Sequence, residues 1–174
     1  VARNKELPFK LTVLRNPVNQ GYGGNQKIGF HYAMKKDFDV VALLHGDGQY
    51  APEKLLELVN PVLDGKADAV FGSRMLEPGG ALKGGMPFYK FVGNKVLTFI
   101  QNKTLNSSLS EFHSGYRVYK VDALRDIPFH LNTNEFHFDT EIIIQLLLAE
   151  KNILELPIPT YYGDEICYVE GFKY

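Results

Sequence analysis

A carboxylate and a carboxamide stand two positions apart on a turn that follows a short apolar run. They are Asp47 and Gln49, each preceded by a glycine, after the run VVALL at 40–44. Both side chains can turn an oxygen toward one hard cation, and Mg²⁺ or Mn²⁺ held by few protein oxygens leaves positions for water and phosphate. The motif therefore suggests metal-assisted transfer from a nucleoside diphosphate compound. The alternative is a solvated turn whose Asp and Gln only satisfy local backbone groups.

Two further loops offer groups that can bind phosphate. Gly23 and Gly24 end the run NQGYGG at 19–24, before a segment with helical periodicity, where free backbone N–H groups and the helix dipole favour an anion. Arg74 follows a Gly-Ser pair, and its guanidinium can fork onto phosphate oxygens. Neither signal is specific, because a tight turn without ligand and an ordinary ion pair give the same residues.

The segment SEFHSGYR at 110–117 combines a group for proton transfer with a cation. Glu111 can accept a proton from an acceptor hydroxyl, and Arg117 can hold a diphosphate leaving group. A polar loop with a structural ion pair has the same sequence. Asp139 and Glu141 follow at a predicted helix start, where the dipole favours carboxylates, so capping is the better interpretation for one of them.

Alternating strands and helices must position these residues. Periodicity predicts strands at 11–14, 39–44, 67–71, 116–119 and 153–158, and helices at 25–36, 52–63, 87–103 and 138–150. The run before Asp47 lacks alternation, as expected for a strand buried on both faces. This alternation of strands and helices predicts one α/β domain with a mostly parallel sheet flanked by helices, and ligands at the carboxyl ends of the strands. We expect a flexible loop at 78–85 and an irregular aromatic tail at 160–174.

Composition bounds the function further. The 174 residues suffice for a domain with a substantial core. A net charge of −1 gives no basic field for nucleic acid. The single cysteine, Cys167, excludes an internal disulfide and a cysteine-based zinc site, and it favours a reducing, cytoplasmic setting. No apolar stretch approaches the roughly 20 residues that span a bilayer.

Taken in order, the motifs resemble the inverting family-two glycosyltransferases, and most closely the dolichyl- and polyprenyl-phosphate mannosyl- and glucosyltransferases. The order is Asn-x-Gly-x-Gly-Gly, Asp-Gly-Gln, Gly-Ser-Arg, Ser-Glu-x-x-Ser-Gly-Tyr-Arg and Leu-Pro-Ile-Pro-Thr-Tyr-Tyr, across residues 11–162. The resemblance implies a nucleotide-sugar-binding fold of the GT-A type and a divalent metal, Mg²⁺ or Mn²⁺. It also implies transfer of a hexose, with inversion, to a polyprenyl or dolichyl phosphate or to a sugar hydroxyl.

The resemblance also assigns roles to individual residues. Asp47 corresponds to the second carboxylate of an Asp-x-Asp element and would bind the metal, with Gln49 beside it. Arg74 would contact phosphate of the donor or of the acceptor, and Arg117 would help hold the diphosphate. Lys90 falls where the lipid-phosphate enzymes carry a second basic residue for the acceptor. A hydroxyl acceptor would in addition need a general base, for which Glu111, named above, is the candidate.

Two departures from the family pattern stand out. His45 replaces the first Asp of Asp-x-Asp, so one nucleotide or metal contact is changed. The family's opening strand and its nucleobase contacts have no counterpart here, which implies a chain that is incomplete at its N-terminus and binds nucleotide poorly alone. A non-catalytic sugar- or partner-binding relative is the second interpretation, and a sugar nucleotidyltransferase is a more distant third.

The helix predicted at 87–103 carries a stripe of apolar side chains. These are Phe88, Phe91, Val92, Val96, Leu97, Phe99 and Ile100. We favour a helix that covers the core or forms a dimer over one on a membrane surface, because it has no excess of Lys and Arg. The expected partners are a nucleoside-diphosphate sugar and a lipid-phosphate or glycan acceptor, with peripheral contact at the inner face of the membrane and a homodimer as further hypotheses.

Overall fold

The computed structural model describes residues 9–159 and 161–162, and its centre is a four-stranded sheet in the order β1–β3–β2–β4. The strands are β1 (Val40–Leu43), β2 (Ala69–Ser73), β3 (Arg117–Lys120) and β4 (Ile153–Pro157). β2 and β4 pair in parallel, whereas β3 is antiparallel to both β1 and β2. Three strands therefore run in one direction, as the alternation of strands and helices predicts. β3 lies between β1 and β2 and runs in the opposite direction.

Six α-helices accompany the sheet in the described part of the chain. They are α1 (Gly21–Lys35), α2 (Leu55–Leu63), α3 (Gly80–Lys83), α4 (Phe88–Leu105), α5 (Val121–Arg125) and α6 (Phe138–Leu148). Single 3₁₀ turns stand at Pro52–Lys54 and Phe129–Leu131. The prediction that Pro52 begins a helical segment is confirmed, since its fixed φ suits that position.

The core has two parts, one on each side of the sheet. Phe71 of β2 packs with Phe30 of α1 and Ile142 of α6, whereas Val70 packs with Leu58 of α2. This division follows from the two-residue period of a strand, which sends successive side chains to opposite faces. β2 is buried along its whole length, as a strand between helices should be.

Three expectations need correction, and one helix was not predicted. Residues 11–14 form no strand and their side chains are exposed, because no neighbouring strand pairs with them among the described residues. β1 lies at the edge of the described sheet and is half-buried instead of covered on both faces. The loop predicted to be flexible contains α3, and α5 was not predicted because its five residues are too few to show a period. The predicted tail falls almost entirely outside the described residues.

α4 exposes most of its apolar stripe to solvent, which contradicts the expectation of a core-covering helix, whereas the alternative of a dimer-forming helix stays a prediction. Its buried side chains include Asn94 and Thr98. The exposed ones are Phe88, Tyr89, Val92, Val96, Leu97, Phe99 and Ile100. On the docked side, Asn94 donates to the buried Glu111 carboxylate at 3.1 Å, and Phe91 packs with Met75 and Met86. No described helix is both long and apolar enough to cross a membrane.

Candidate active site

Three loops that carry the chemistry predicted from sequence meet at one edge of the sheet. His45 to Gln49 follow the carboxyl end of β1, and Arg74 follows β2. The segment 110–116 leads into β3, which runs in the opposite direction, so that its beginning lies at the same edge. Antiparallel insertion of β3 thus brings the third loop to the first two.

His45 and Asp47 form a pair that faces solvent. The His45 Nδ1 lies 3.9 Å from Asp47 Oδ2, and the Asp47 side chain is 40% exposed. The other oxygen, Oδ1, accepts the Gln49 N–H at 3.0 Å, which fixes the carboxylate on its turn. The described residues contain no cluster of three or more His, Cys, Asp or Glu side chains suited to a metal. A cation held by Asp47 would therefore take most of its ligands from water, a carboxamide such as Gln49, or substrate.

Behind this pair lies a chain of hydrogen bonds that ends at a buried carboxylate. The Tyr22 hydroxyl lies 2.9 Å from His45 Nε2 and donates to Asp139 Oδ2 at 2.7 Å. Gln26 donates to the other oxygen of Asp139 at 3.1 Å, and Arg117 lies 3.5 Å from it. Burial lowers the pKa of His45, whereas burial and the charge of Asp139 raise the pKa of Tyr22. At neutral pH the ring of His45 is therefore neutral.

Sequence reasoning missed Tyr22 and treated Asp139 as one of two candidate helix caps. Asp139 does lie in the first turn of α6, but its carboxylate points to Tyr22, Gln26 and Arg117. Tyr22 lies 117 positions from Asp139 along the chain, so no local pattern could have joined them. The only available signal was a Tyr placed between the two glycine positions of the NQGYGG run.

Arg74 and Glu111 form a second, fully internal pair. Arg74 is 7% exposed and Glu111 is 2% exposed. The guanidinium donates from Nη2 to Glu111 Oε2 at 2.6 Å and from Nε at 3.2 Å, while the Arg74 backbone N–H donates to Oε1 at 2.6 Å. Burial alone would raise the pKa of Glu111, but the charge and hydrogen bonds of Arg74 outweigh it and lower that pKa.

This geometry gives Glu111 a role different from general base. Its carboxylate is shielded from solvent, its oxygens are occupied by Arg74 and Asn94, and its lowered pKa opposes proton uptake. Arg74 also binds a second side chain, since its Nη1 donates to the Tyr162 hydroxyl at 2.7 Å. Glu111 thus holds Arg74 against the sheet edge, and only the Nη1 side of the guanidinium extends toward the tail.

Arg117 is also internal and does not line the exposed edge. It is 1% exposed, and its three guanidinium nitrogens donate to the backbone carbonyls of Ser114, Asp139 and Phe112 at 2.7, 2.9 and 2.8 Å. Its guanidinium also lies over the Phe71 ring, 5.0 Å from the centroid. In this arrangement Arg117 ties the 112–114 loop to α6 and does not reach a diphosphate at the surface.

Gly23 and Gly24 lie inside the first turns of α1 and serve close packing. A Cβ at Gly23 would lie 2.6 Å from the Thr133 carbonyl oxygen, and one at Gly24 would lie 2.8 Å from the Gln20 Cβ. The Gly23 N–H donates to the Asn134 carbonyl at 2.7 Å. One of the N–H groups expected to bind phosphate is therefore used within the protein.

Lys90 lies on the first turn of α4, close to the Arg74 pair. Its Nζ is 5.7 Å from the centroid of the Tyr162 ring, and the hydroxyl of the same tyrosine accepts from Arg74. Two cations thus contact one tyrosine, one at the ring and one at the hydroxyl. Arg74 and Lys90 thus lie on either side of Tyr162, at the end of α4 where its apolar face begins, and their role toward an acceptor stays a prediction.

Comparison with known proteins agrees with this architecture. The profile of glycosyl transferase family 2 matches residues 1–128. The UDP-N-acetylglucosamine–dolichyl-phosphate N-acetylglucosaminyltransferase of Methanococcus voltae is 28% identical over 89% of the chain and 61% of that protein. The undecaprenyl-phosphate mannosyltransferase of Micrococcus luteus is 29% identical over 84% of the chain and 59% of that protein. The chain thus spans about three-fifths of the length of these relatives.

Solved structures share the fold. Glucosyl-3-phosphoglycerate synthase from Mycobacterium tuberculosis, in complex with phosphoglyceric acid, aligns with a TM-score of 0.59 and 17% identity over 87% of the chain and 50% of that protein. The same enzyme in complex with Mn²⁺, UDP-glucose and glycerol 3-phosphate aligns with a TM-score of 0.51. The prediction of a GT-A-type fold is confirmed by these neighbours.

Proposed function

We propose, from the premise that the chain belongs to glycosyl transferase family 2, that its site transfers a hexose from a nucleoside-diphosphate sugar to a polyprenyl-type phosphate with inversion. One observation carries the proposal. The exposed carboxylate of Asp47 is fixed by the Gln49 N–H at the carboxyl edge of the sheet, where open α/β sheets bind ligands. A carboxylate in that position suits a divalent cation that carries a diphosphate.

The donor set at this edge fits Mg²⁺ or Mn²⁺. Asp47 and Gln49 would hold the cation, since a carboxylate and a carboxamide supply the hard oxygens that such cations prefer. A bound cation supplies positive charge that stabilises the departing diphosphate. Support comes from glucosyl-3-phosphoglycerate synthase, a structural neighbour that was solved with Mn²⁺ and UDP-glucose.

A phosphate acceptor fits a site in which Glu111, the candidate general base, is buried against Arg74. A phosphate is already an anion and attacks without losing a proton, whereas a hydroxyl needs a base. Glu111 is locked onto Arg74, which suits the first case. The two named relatives act on dolichyl phosphate and undecaprenyl phosphate, respectively. Glu111 is then a positioning residue, and Lys90 with the Nη1 edge of Arg74 forms the acceptor subsite.

The apolar face of α4 completes the acceptor proposal. It begins beside Lys90 and exposes large side chains such as Phe88 and Phe99 to solvent. A polyprenyl phosphate combines an anionic head with an apolar chain, so it requires a cation next to an apolar surface. We therefore assign the α4 face to the lipid part of the acceptor and to the membrane surface in which the acceptor resides, at its inner leaflet.

Titration of the chain, and of any longer protein that contains it, tests the proposal. The ligands are GDP, UDP and their hexoses, with Mn²⁺ or with a chelator, followed by transfer to a short polyprenyl phosphate. We expect metal-dependent binding and transfer that Asp47→Ala abolishes. The matched control is Asp64→Ala, which removes an exposed carboxylate paired with Lys66 at 2.9 Å. Asp64 caps the end of α2 that precedes the amino end of β2, whereas the site loops follow the carboxyl ends of β1 and β2. Binding that survives Asp47→Ala without transfer would favour the non-catalytic alternative.

A further inference from the structure

We propose that His45 is itself a metal ligand: its Nδ1 joins the Asp47 carboxylate on one cation and favours a transition metal such as Mn²⁺ over Mg²⁺. The inference rests on the proposed function, because it concerns the same diphosphate-binding edge. It goes further because it names the coordinating atom of the histidine at the changed position of the Asp-x-Asp element and predicts which metal the site prefers. Two independent features of the structure support it.

The first feature is the hydrogen-bond chain, which determines the tautomer of the ring. Tyr22 has one hydroxyl proton and donates it to Asp139 Oδ2 at 2.7 Å. Asp139 is ion-paired with Arg117 and acts only as an acceptor. The Tyr22 oxygen can therefore only accept at its 2.9 Å contact with His45, so Nε2 carries a proton. Nδ1 is then the ring nitrogen on which a metal can take the place of a proton.

That arrangement is the one expected around a metal-binding histidine. Such residues donate their other ring N–H to an oxygen, which sets the tautomer and the ring orientation. Here the oxygen belongs to Tyr22, which is itself oriented by Asp139. Nδ1 is the ring nitrogen near Asp47, at 3.9 Å from its Oδ2.

The second feature is the packing that fixes the ring in place. A Cβ at Gly115 would come within 2.8 Å of three atoms of the imidazole, so the backbone there lies directly against the ring. Gly115 is held by its own N–H, which donates to the Tyr50 hydroxyl at 3.0 Å. The rings of Tyr22 and Tyr50 contact His45 edge-on, with centroids at 5.6 and 5.7 Å. The imidazole is therefore preorganised.

The separation of the two donor atoms is compatible with one shared cation. Metal–ligand distances of about 2.1 Å allow two ligands of one cation to be at most about 4.2 Å apart. The 3.9 Å between Nδ1 and Oδ2 lies within that limit, and a small rotation of the exposed Asp47 side chain would narrow the angle. Imidazole nitrogen suits transition metals, whereas Mg²⁺ takes oxygen ligands almost exclusively. Substrate phosphate and water would complete the coordination.

Magnetic resonance of bound Mn²⁺ tests the inference without relying on activity. The probe is Mn²⁺ with UDP or GDP, and pulsed EPR detects the coupling of a directly bound ¹⁴N. We expect this coupling in the chain and its loss in His45→Asp, which keeps a carboxylate available for Mg²⁺. Tyr22→Phe should keep the coupling and weaken Mn²⁺ binding by about 10- to 100-fold, the usual effect of removing a partner of a metal-bound histidine.

A matched control tests whether another histidine supplies the coupled nitrogen. His31→Asn removes an exposed histidine on α1, and it should leave the coupling unchanged. Circular dichroism establishes that each variant is folded, and Tyr22→Phe serves as the test if His45→Asp does not fold. Mn²⁺ binding that depends on Asp47, without nitrogen coupling, would overturn this inference and leave the proposed function intact. Absence of both nucleotide and metal binding, in the chain and in a longer protein that contains it, would overturn the two together.

Discussion

Replacing Glu111 with Gln should cost far more stability than any surface charge change in this chain. The carboxylate is buried and accepts hydrogen bonds from the backbone and guanidinium of Arg74 and from Asn94. Glutamine preserves the shape but removes the negative charge, which leaves the guanidinium buried without a counter-charge. Breaking one partner of a buried ion pair costs about 3–5 kcal/mol. For a chain of this size, that corresponds to a decrease in Tm of about 6–20 °C.

The matched control is Glu57→Gln, the same chemical change in an exposed pair. Glu57 lies 2.7 Å from Lys54, and its side chain is 62% exposed. Solvent screens such pairs, so the expected loss is below about 1 kcal/mol. Urea unfolding followed by circular dichroism gives the free energy of unfolding for both variants. Equal losses in the two variants would refute the argument that burial of Arg74 with Glu111 determines the cost.

The pH dependence supplies a second, independent test of the same pair. Burial tends to raise the pKa of Glu111, but Arg74 lowers it below its unfolded value. A carboxyl whose native pKa is lowered stabilises the fold fully above its unfolded pKa of about 4.3 and loses that contribution as the pH falls toward the native pKa. The native chain should therefore lose stability steeply below about pH 5, and Glu111→Gln should lack that part of the slope. An unchanged slope would contradict the assignment.

Three further predictions concern the site and the core. Gly115→Ala should displace the imidazole of His45, because the new Cβ would come within 2.8 Å of three ring atoms, and Mn²⁺ titration should show weaker binding. Lys90→Ala should raise the KM for a polyprenyl phosphate and leave the KM for the sugar donor unchanged, with Lys90→Arg restoring the acceptor value. Leu58→Ala in the core should cost about 2–5 kcal/mol in urea unfolding. Leu56→Ala, at a position 70% exposed on the same helix, should cost below about 0.5 kcal/mol.

Much of the fold was predictable because it follows from local patterns. The strand before Asp47 and the strand before Arg74 were both found, with ends that differ from the structure by one or two residues. The ends of these two strands mark the edge of the sheet at which the candidate site residues were expected. Strand and helix periods are properties of short windows, and glycine after an apolar run marks where a buried strand ends.

The pairing of the site residues was not predictable, since it depends on contacts between distant segments. Glu111 looked like a free acid in the sequence because its partner, Arg74, lies 37 positions away. Arg117 looked like a surface cation for the same reason, although its donors are used by backbone carbonyls. A charged residue beside a glycine turn has the same sequence whether it faces substrate or the interior, and only the reversed direction of β3 decides which.

The orientation of α4 shows a different limit of prediction from sequence. The period of its apolar residues correctly identifies an amphipathic helix, but periodicity alone does not say which face is buried. Burial of apolar area normally decides, at about 25 cal/mol per Å². Here Asn94 adds a third group of donors to the buried Glu111 carboxylate that Arg74 already binds, and the helix docks on that side. A polar contact of this kind depends on a distant segment, so the period of α4 does not show it.

The two internal ion pairs and the exposed edge form one arrangement. Arg74 with Glu111 and Arg117 with Asp139 are buried, and pairs of this kind add little stability over apolar residues of the same size. What they do determine is position, because each one ties a loop at the sheet edge to a second element. Asp139 also accepts from Tyr22, so the carboxylate that anchors Arg117 sets the tautomer of the histidine beside Asp47. Under the proposed function, the interior charges therefore fix where the Asp47 oxygen and the His45 nitrogen stand before a cation binds.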